Sequence, residues 1–126
     1  MNTILLVEDS HTQREKIADL LQGCKFSVIT ASDGAEALSK ITENPGIKLD
    51  LVILDVVMPN VNGYEVCRRL KANPKTENIP VIMCSFKGSE ADRYWGLKQG
   101  ADAYLVKPFK ARELITTIKH VLRNVA

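Results

Sequence analysis

Three acids and a lysine stand where short apolar runs end. Leu51-Val-Ile-Leu54 is continuously apolar, ends in the single aspartate Asp55, and the segment stops at Pro59. Ile4-Leu-Leu-Val7 runs into Glu8-Asp9, and Tyr104-Leu-Val106 runs into Lys107-Pro108. Apolar runs this short read as strands buried on both faces of a parallel sheet. Open α/β sheets bind ligands in the crevice at the carboxyl ends of their strands. Glu8, Asp9, Asp55 and Lys107 therefore make a candidate site for a hard cation and a phosphoryl group. Carboxylates brought together raise one another's pKa unless a cation neutralises them. Magnesium suits such a site, because it takes few carboxylates, keeps waters and shares phosphate oxygens. Ser85 closes another apolar run, Ile79-Pro-Val-Ile-Met-Cys84. Its hydroxyl and the Lys107 ammonium would face the same crevice, and both are natural partners of an anionic phosphoryl group. Each residue alone could be a solvated acid, a turn serine or a surface lysine. Their convergence on one sheet edge favours the chemical reading. Pro108 adds to it by fixing the backbone after Lys107.

The elements that would position these residues alternate along the chain. Strands are expected at Ile4 to Val7, Phe26 to Ala31, Leu51 to Leu54, Ile79 to Cys84 and Ala103 to Val106. The first helix has Ser10 as N-cap with Gln13 three residues on, as in a capping box, and Gly23 at its end. The second opens at Asp33-Gly-Ala-Glu36 and breaks at Asn44-Pro45-Gly46. The third runs from Tyr64 to about Ala72, buried through Val66, Cys67 and Leu70. The fourth is capped by Ser89 and ended by Gly100. The last runs from about Ala111 to Arg123, with Leu114, Ile115, Ile118, Val121 and Leu122 on one side. This βα alternation predicts an α/β fold: a doubly wound, five-stranded parallel sheet with helices on both faces. In the flavodoxin-like strand order 2-1-3-4-5, strands one and three are neighbours at the switch point, so the acids after them lie close together.

The chain has 126 residues, 45% hydrophobic and 25% charged, which fits one domain spanning 1–126 with no linker, repeat or low-complexity segment. A net charge of +2 spread along helices does not suggest direct nucleic-acid binding. Cys24, Cys67 and Cys84 are odd in number and widely spaced, without a CxxC pair, so reduced thiols in a cytoplasmic protein are expected. The N-terminal residues already read as a strand rather than a secretory leader, and no apolar segment approaches the roughly 18 residues a membrane span needs.

Taken in order, Glu8-Asp9, Leu54-Asp55-Val-Val-Met-Pro59 with Gly63, Ser85, and Lys107-Pro108-Phe109 resemble the receiver domain of two-component response regulators, similar to the chemotaxis protein CheY. The resemblance runs from Ile4 to about Leu122. It implies that Asp55 is the phosphoacceptor for a sensor histidine kinase or a phosphotransfer protein. It implies a magnesium ion held by Glu8, Asp9, Asp55 and the Val57 carbonyl. It also implies that Ser85 and Lys107 contact the phosphoryl group. Tyr104 takes the position of the family's switch aromatic. Phosphorylation would draw Ser85 inward, let Tyr104 rotate into the space vacated, and alter the face of helix four, strand five and helix five that a downstream protein reads. Tyr94 and Trp95 are adjacent, so one is expected to pack on the sheet while the other adds an exposed apolar spot.

Departures from the family pattern are visible. The residue after Ser85 is usually small and is Phe86 here. Val57 and Lys87 supply no amide or acid that would align a hydrolytic water. Arg93-Tyr-Trp-Gly96 resembles the receivers of type IV pilus and twitching-motility systems, the PilH type. Other readings meet obstacles. A haloacid-dehalogenase-like phosphatase needs a second acid two residues after the nucleophile, where Val57 stands. A flavodoxin-type flavin binder needs a hydroxyl- and glycine-rich loop after strand one, where Glu8-Asp9-Ser10 would repel phosphate. A chain ending with its fifth helix favours a free-standing receiver that catalyses only its own phosphorylation and dephosphorylation. The receiver fragment of a longer DNA-binding regulator would read identically.

Overall fold

The computed structural model describes residues 2–44 and 46–123, over which strand and helix alternate five times. The strands are β1 (Thr3–Val7), β2 (Ser27–Ala31), β3 (Leu51–Asp55), β4 (Val81–Ser85) and β5 (Ala103–Val106). They form one parallel sheet, as the alternation predicts, in the flavodoxin-like order β2-β1-β3-β4-β5. The helices are α1 (His11–Gly23), α2 (Gly34–Glu43), α3 (Gly63–Ala72), α4 (Glu90–Lys98) and α5 (Ala111–Arg123).

Successive side chains of a strand point to opposite faces. In β1, β3 and β4 both sets are apolar, so the sheet carries a core on each side. Leu5, Val7, Val52, Leu54, Val81 and Met83 meet Ala37 of α2 and Val66, Cys67 and Leu70 of α3. Ile4, Leu6, Leu51, Ile53 and Ile82 meet Ile17 and Leu21 of α1 and Leu114, Ile118 and Val121 of α5. Burial on both faces makes the central strands read as unbroken apolar runs. It also leaves the polar residues that follow them at one end of the sheet.

Several helix ends depart from the sequence expectation. Ser10 does cap α1, its hydroxyl accepting from the Gln13 N–H at 3.4 Å. Gln13 does not complete the capping box; its side chain turns to Lys107 instead. The left-handed residue after α1 is Lys25 (φ +69°), not Gly23. Helix α3 starts at Gly63, with Asn62 as its cap accepting from the Glu65 N–H at 3.0 Å. Helix α2 is capped by Asp33, which accepts from the Glu36 N–H at 2.7 Å, while the Glu36 carboxylate reaches back to the Ser32 N–H and hydroxyl. Those hydrogen bonds hold the Glu36 pKa down to about 2. Helix α2 gives way to Asn44 as expected; Pro45, part of the predicted breaker, lies outside the described residues. Gly100 follows α4 at φ +106°, the left-handed geometry that favours glycine at a helix end.

Helix α4 corrects the expectation for its aromatics. Tyr94 and Trp95 are both exposed, at 59% and 54%, and their rings meet edge to face at 6.2 Å. The residue facing the sheet is Gly96. A Cβ there would lie 2.7 Å from the Tyr104 ring and 2.9 Å from the Met83 sulfur, so only glycine lets α4 approach this closely.

Candidate functional site

Asp55 is the last residue of β3, held in the β4 register opposite Cys84. β1 lies beside β3, so Glu8 and Asp9, immediately after β1, reach the same edge. One carboxylate oxygen from each of Glu8, Asp9 and Asp55 lies within 4.8 Å of the others. Glu8 and Asp55 are buried and Asp9 is exposed. Two buried acids with an exposed third give a cation a protein-side seat and a route from water.

Lys107 is also buried, at 6% exposure. Its ammonium donates to Glu8 Oε1, to Asp55 Oδ2 at 2.9 Å and to Gln13 Oε1 at 2.7 Å. The second Asp55 oxygen, Oδ1, accepts from the Val57 N–H at 3.2 Å. Glu8 is fixed from the other side, since Oε2 accepts from the Ser10 N–H at 3.1 Å and its carbonyl accepts from Arg14. Gly63 lies directly beneath Asp55: a Cβ there would stand 2.2 Å from the Asp55 carbonyl oxygen. The turn after β3 therefore closes against the backbone of Asp55 itself, with the Gly63 N–H donating to the Val56 carbonyl.

Two buried carboxylates sharing one ammonium leave a net negative charge. Burial raises the Glu8 pKa above 4.5, and the Lys107 hydrogen bond only partly offsets it. Burial opposes the charge on Lys107, but its hydrogen bonds to Glu8 and Asp55 outweigh that cost and raise its pKa. A divalent cation would remove the imbalance, and an all-oxygen donor set with one exposed edge fits magnesium. Cys84, beside Asp55, is buried and its thiol is pushed up to about 12, so it stays protonated.

Ser85, at 1% exposure, ends β4, and its hydroxyl accepts from the Lys87 N–H at 3.2 Å. The same residue's carbonyl accepts from the Lys107 N–H at 2.8 Å, which ties the ends of β4 and β5 together. Tyr104 is already buried. Its hydroxyl donates to the Lys87 carbonyl at 2.6 Å, and burial pushes its pKa up to about 12. The inward rotation expected for this ring therefore starts from a ring that is already inside and tied to the loop after β4. Phe86 is exposed, and its ring lies 5.4 Å from the Lys107 ammonium. Val57 and Lys87 line one shallow hollow with Asn62 and Tyr64 beside the site.

Sequence reasoning missed two contributors. Gln13 has the spacing of a capping-box residue, and nothing local signals its reach to a lysine 94 residues away. Tyr64 signals only the start of a helix in the sequence, yet its hydroxyl donates to the Asp92 carbonyl of α4 at 3.1 Å. No helix among the described residues is long and apolar enough to cross a membrane.

Comparison with known proteins places this geometry in a family. The family model for the response regulator receiver domain matches residues 4–119. The chain is 45% identical over 124 residues to the transcriptional regulatory protein CpxR of Escherichia coli, covering 98% of this chain and 50% of that protein. It thus spans about half the length of the curated relatives it matches. Among solved structures it is similar to a putative response regulator from Chloroflexus aurantiacus, with a TM-score of 0.90, 34% identity and 98% of each chain covered. It is also similar to the receiver domain of a sensor histidine kinase from Pseudomonas aeruginosa, with a TM-score of 0.85, 26% identity and 98% of each chain covered; that structure holds a magnesium ion in its active-site cleft.

Proposed function

The chain belongs to the response regulator receiver domain family, and from that premise we propose that Asp55 accepts a phosphoryl group from the histidine of a kinase or phosphotransfer protein. The observation that carries this reading is the placement of Asp55: a buried carboxylate at a strand end, bonded to Lys107 and within 4.8 Å of two further acids. In the transfer, an Asp55 carboxylate oxygen attacks phosphorus. The bond from phosphorus to the donor nitrogen breaks, and its electron pair leaves with the imidazole. Lys107 stands where it can stabilise an equatorial oxygen of the transferring group. Magnesium, held by Glu8, Asp9, Asp55 and the Val57 carbonyl, would supply the positive charge that lets two anions meet. Ser85 would donate its hydroxyl to a phosphoryl oxygen on the product side.

The product has gained negative charge and new acceptor oxygens. Hydrogen bonds join Ser85, the Lys87 peptide and Tyr104, and the Tyr104 ring lies against Gly96 of α4. The phosphoryl group would stabilise one packing of these groups over another. A downstream protein would read the face of α4, β5 and α5. The chain then turns over no second substrate; it promotes only its own phosphorylation and dephosphorylation. The similarity of Arg93-Tyr-Trp-Gly96 to pilus-type receivers makes kinases of those systems the first donors to try. A second reading is favoured by the half-length match to CpxR: the chain is the receiver part of a longer DNA-binding regulator. The experiment is incubation with acetyl phosphate and magnesium followed by intact-mass measurement. One added phosphoryl group, absent in Asp55→Asn, is the expected result. Equal labelling of that variant would refute the assignment.

A further inference from the structure

A lysine ammonium has three N–H donors and no acceptor. All three are used here: Glu8, Asp55 and Gln13 take one each. Two of those acceptors, Glu8 and Asp55, are carboxylates of the acidic cluster; the third is the neutral amide oxygen of Gln13. It comes from the first turn of α1, whose position is fixed by the Ser10 cap and by Arg14 donating to the Glu8 carbonyl. The ammonium is thus seated across the Glu8–Asp55 pair and anchored from outside it.

We propose that Gln13 is a positioning residue: it holds the Lys107 ammonium on the Glu8 and Asp55 carboxylates, so that a divalent cation entering the site must displace a fully hydrogen-bonded lysine. The inference rests on the acidic cluster being the magnesium site. A lysine bonded only to the two carboxylates would keep one N–H without a protein acceptor in a mostly buried setting. Such an ammonium is less firmly seated and is displaced at lower cost. Gln13 therefore lowers magnesium affinity without touching magnesium. It keeps the charge that will meet the phosphoryl group parked beside the acceptor carboxylate.

Gln13→Met keeps the side-chain length and helix preference while removing the oxygen. Calorimetric titration of the full chain with magnesium should show affinity tightened roughly fivefold in this variant, the scale of one hydrogen bond to a charged group partly replaced by water. In the metal-free protein, the Lys107 ammonium should give a protected nitrogen-15 resonance that Gln13→Met loses and Gln13→Glu restores. In a Lys107→Met background, adding Gln13→Met should leave magnesium affinity unchanged. Magnesium binding in the wild type with no change in Gln13→Met would overturn the inference alone. A Gln13→Met effect that persists without Lys107 would also overturn it, because Gln13 would then act directly. No magnesium binding in the wild type, with the lysine resonance present, would overturn both this inference and the reading of the site.

Discussion

The two ends of the sheet handle carboxylates in opposite ways. At the amino ends, Asp50 precedes β3 and accepts from the N–H of Thr3, the first residue of β1, at 2.8 Å. Asp102 precedes β5 and accepts from the N–H of Val81, the first residue of β4, at 2.8 Å, and from Lys71 at 3.2 Å. Each acid is matched to a backbone donor of the neighbouring strand and fastens two strand starts together. At the carboxyl ends, Glu8, Asp9 and Asp55 face one another, and Glu8 and Asp55 share the ammonium of Lys107. Carboxylates stand at both ends; the peptide donors facing Glu8 and Asp55 are local, from Ser10 and Val57, whereas those facing Asp50 and Asp102 belong to the neighbouring strand. Acids answered by the first peptide N–H of a neighbouring strand contribute to stability. Acids that answer one another are held ready for a cation and a reaction.

The largest effect should come from exchanging these roles by mutation. Asp55→Asn should lose all phosphoryl labelling yet unfold at the same or higher denaturant, because it removes one of two buried like charges. Asp102→Ala should keep its labelling and lose about 1–2 kcal/mol of stability, the cost of an unanswered strand-start N–H. Denaturant unfolding beside intact-mass labelling checks the pair. A stability loss in Asp55→Asn larger than in Asp102→Ala would break the comparison.

Next in size is the metal. Asp9→Ala should remove most magnesium affinity and with it the rise in melting temperature that magnesium gives the wild type. Asp50→Ala should alter neither, beyond a lower baseline melting temperature. Thermal scans with and without magnesium measure both, and an Asp50→Ala protein that no longer responds to magnesium would contradict the division between the ends.

Acidity should separate the ends further. Burial raises the Glu8 pKa, so protons compete with magnesium at a pH above the ordinary 4.5, and affinity should already be falling there. Ionised Glu8 opposes folding, and acid relieves that cost as pH drops through its raised value. Lys107 has the opposite sign: its raised pKa adds stability that is complete below 10.5 and lost as pH climbs through the folded value. Glu36, lowered to about 2, adds stability that is present above 4.5 and lost as pH falls toward 2. Calorimetry over a pH series tests the first point; magnesium affinity that stays flat down to 4.5 would refute it.

The smallest effect concerns lifetime. Val57 and Lys87 flank the site without a group that orients water. Val57→Asn with Lys87→Glu should shorten the lifetime of phosphorylated Asp55, followed by loss of the added mass over time. Identical decay would remove that role from the two positions.

The carboxyl end of the sheet was legible because the step from a buried apolar run to an acid is abrupt, as at Leu54-Asp55 and Val7-Glu8. The parallel sheet followed from the alternation of elements, whereas the strand order came with the flavodoxin-like fold. Helix α4 was misread because its packing contact is Gly96, a residue with no hydrophobic signal, while the conspicuous Tyr94 and Trp95 face outward. Gln13 was hidden by a competing local role, since a glutamine three residues after a serine cap has an obvious use within its own helix. Asp50 and Asp102 carry no local signal, because an acid before a strand gains its meaning only when the neighbouring strand's first N–H is known. Tyr104 was identified by position, yet its hydrogen bond to Lys87 depends on a loop whose path the sequence does not encode in any short pattern.

The most direct test of the central claim is the chemical identity of the phosphorylated residue. Protein labelled with acetyl phosphate and magnesium would be reduced with borohydride, which converts an aspartyl phosphate to homoserine, then digested and sequenced by mass. Homoserine is expected at position 55 alone, in an amount that depends on magnesium. Homoserine at position 9, a reduced glutamyl phosphate at position 8, or labelling that is indifferent to magnesium would contradict the claim.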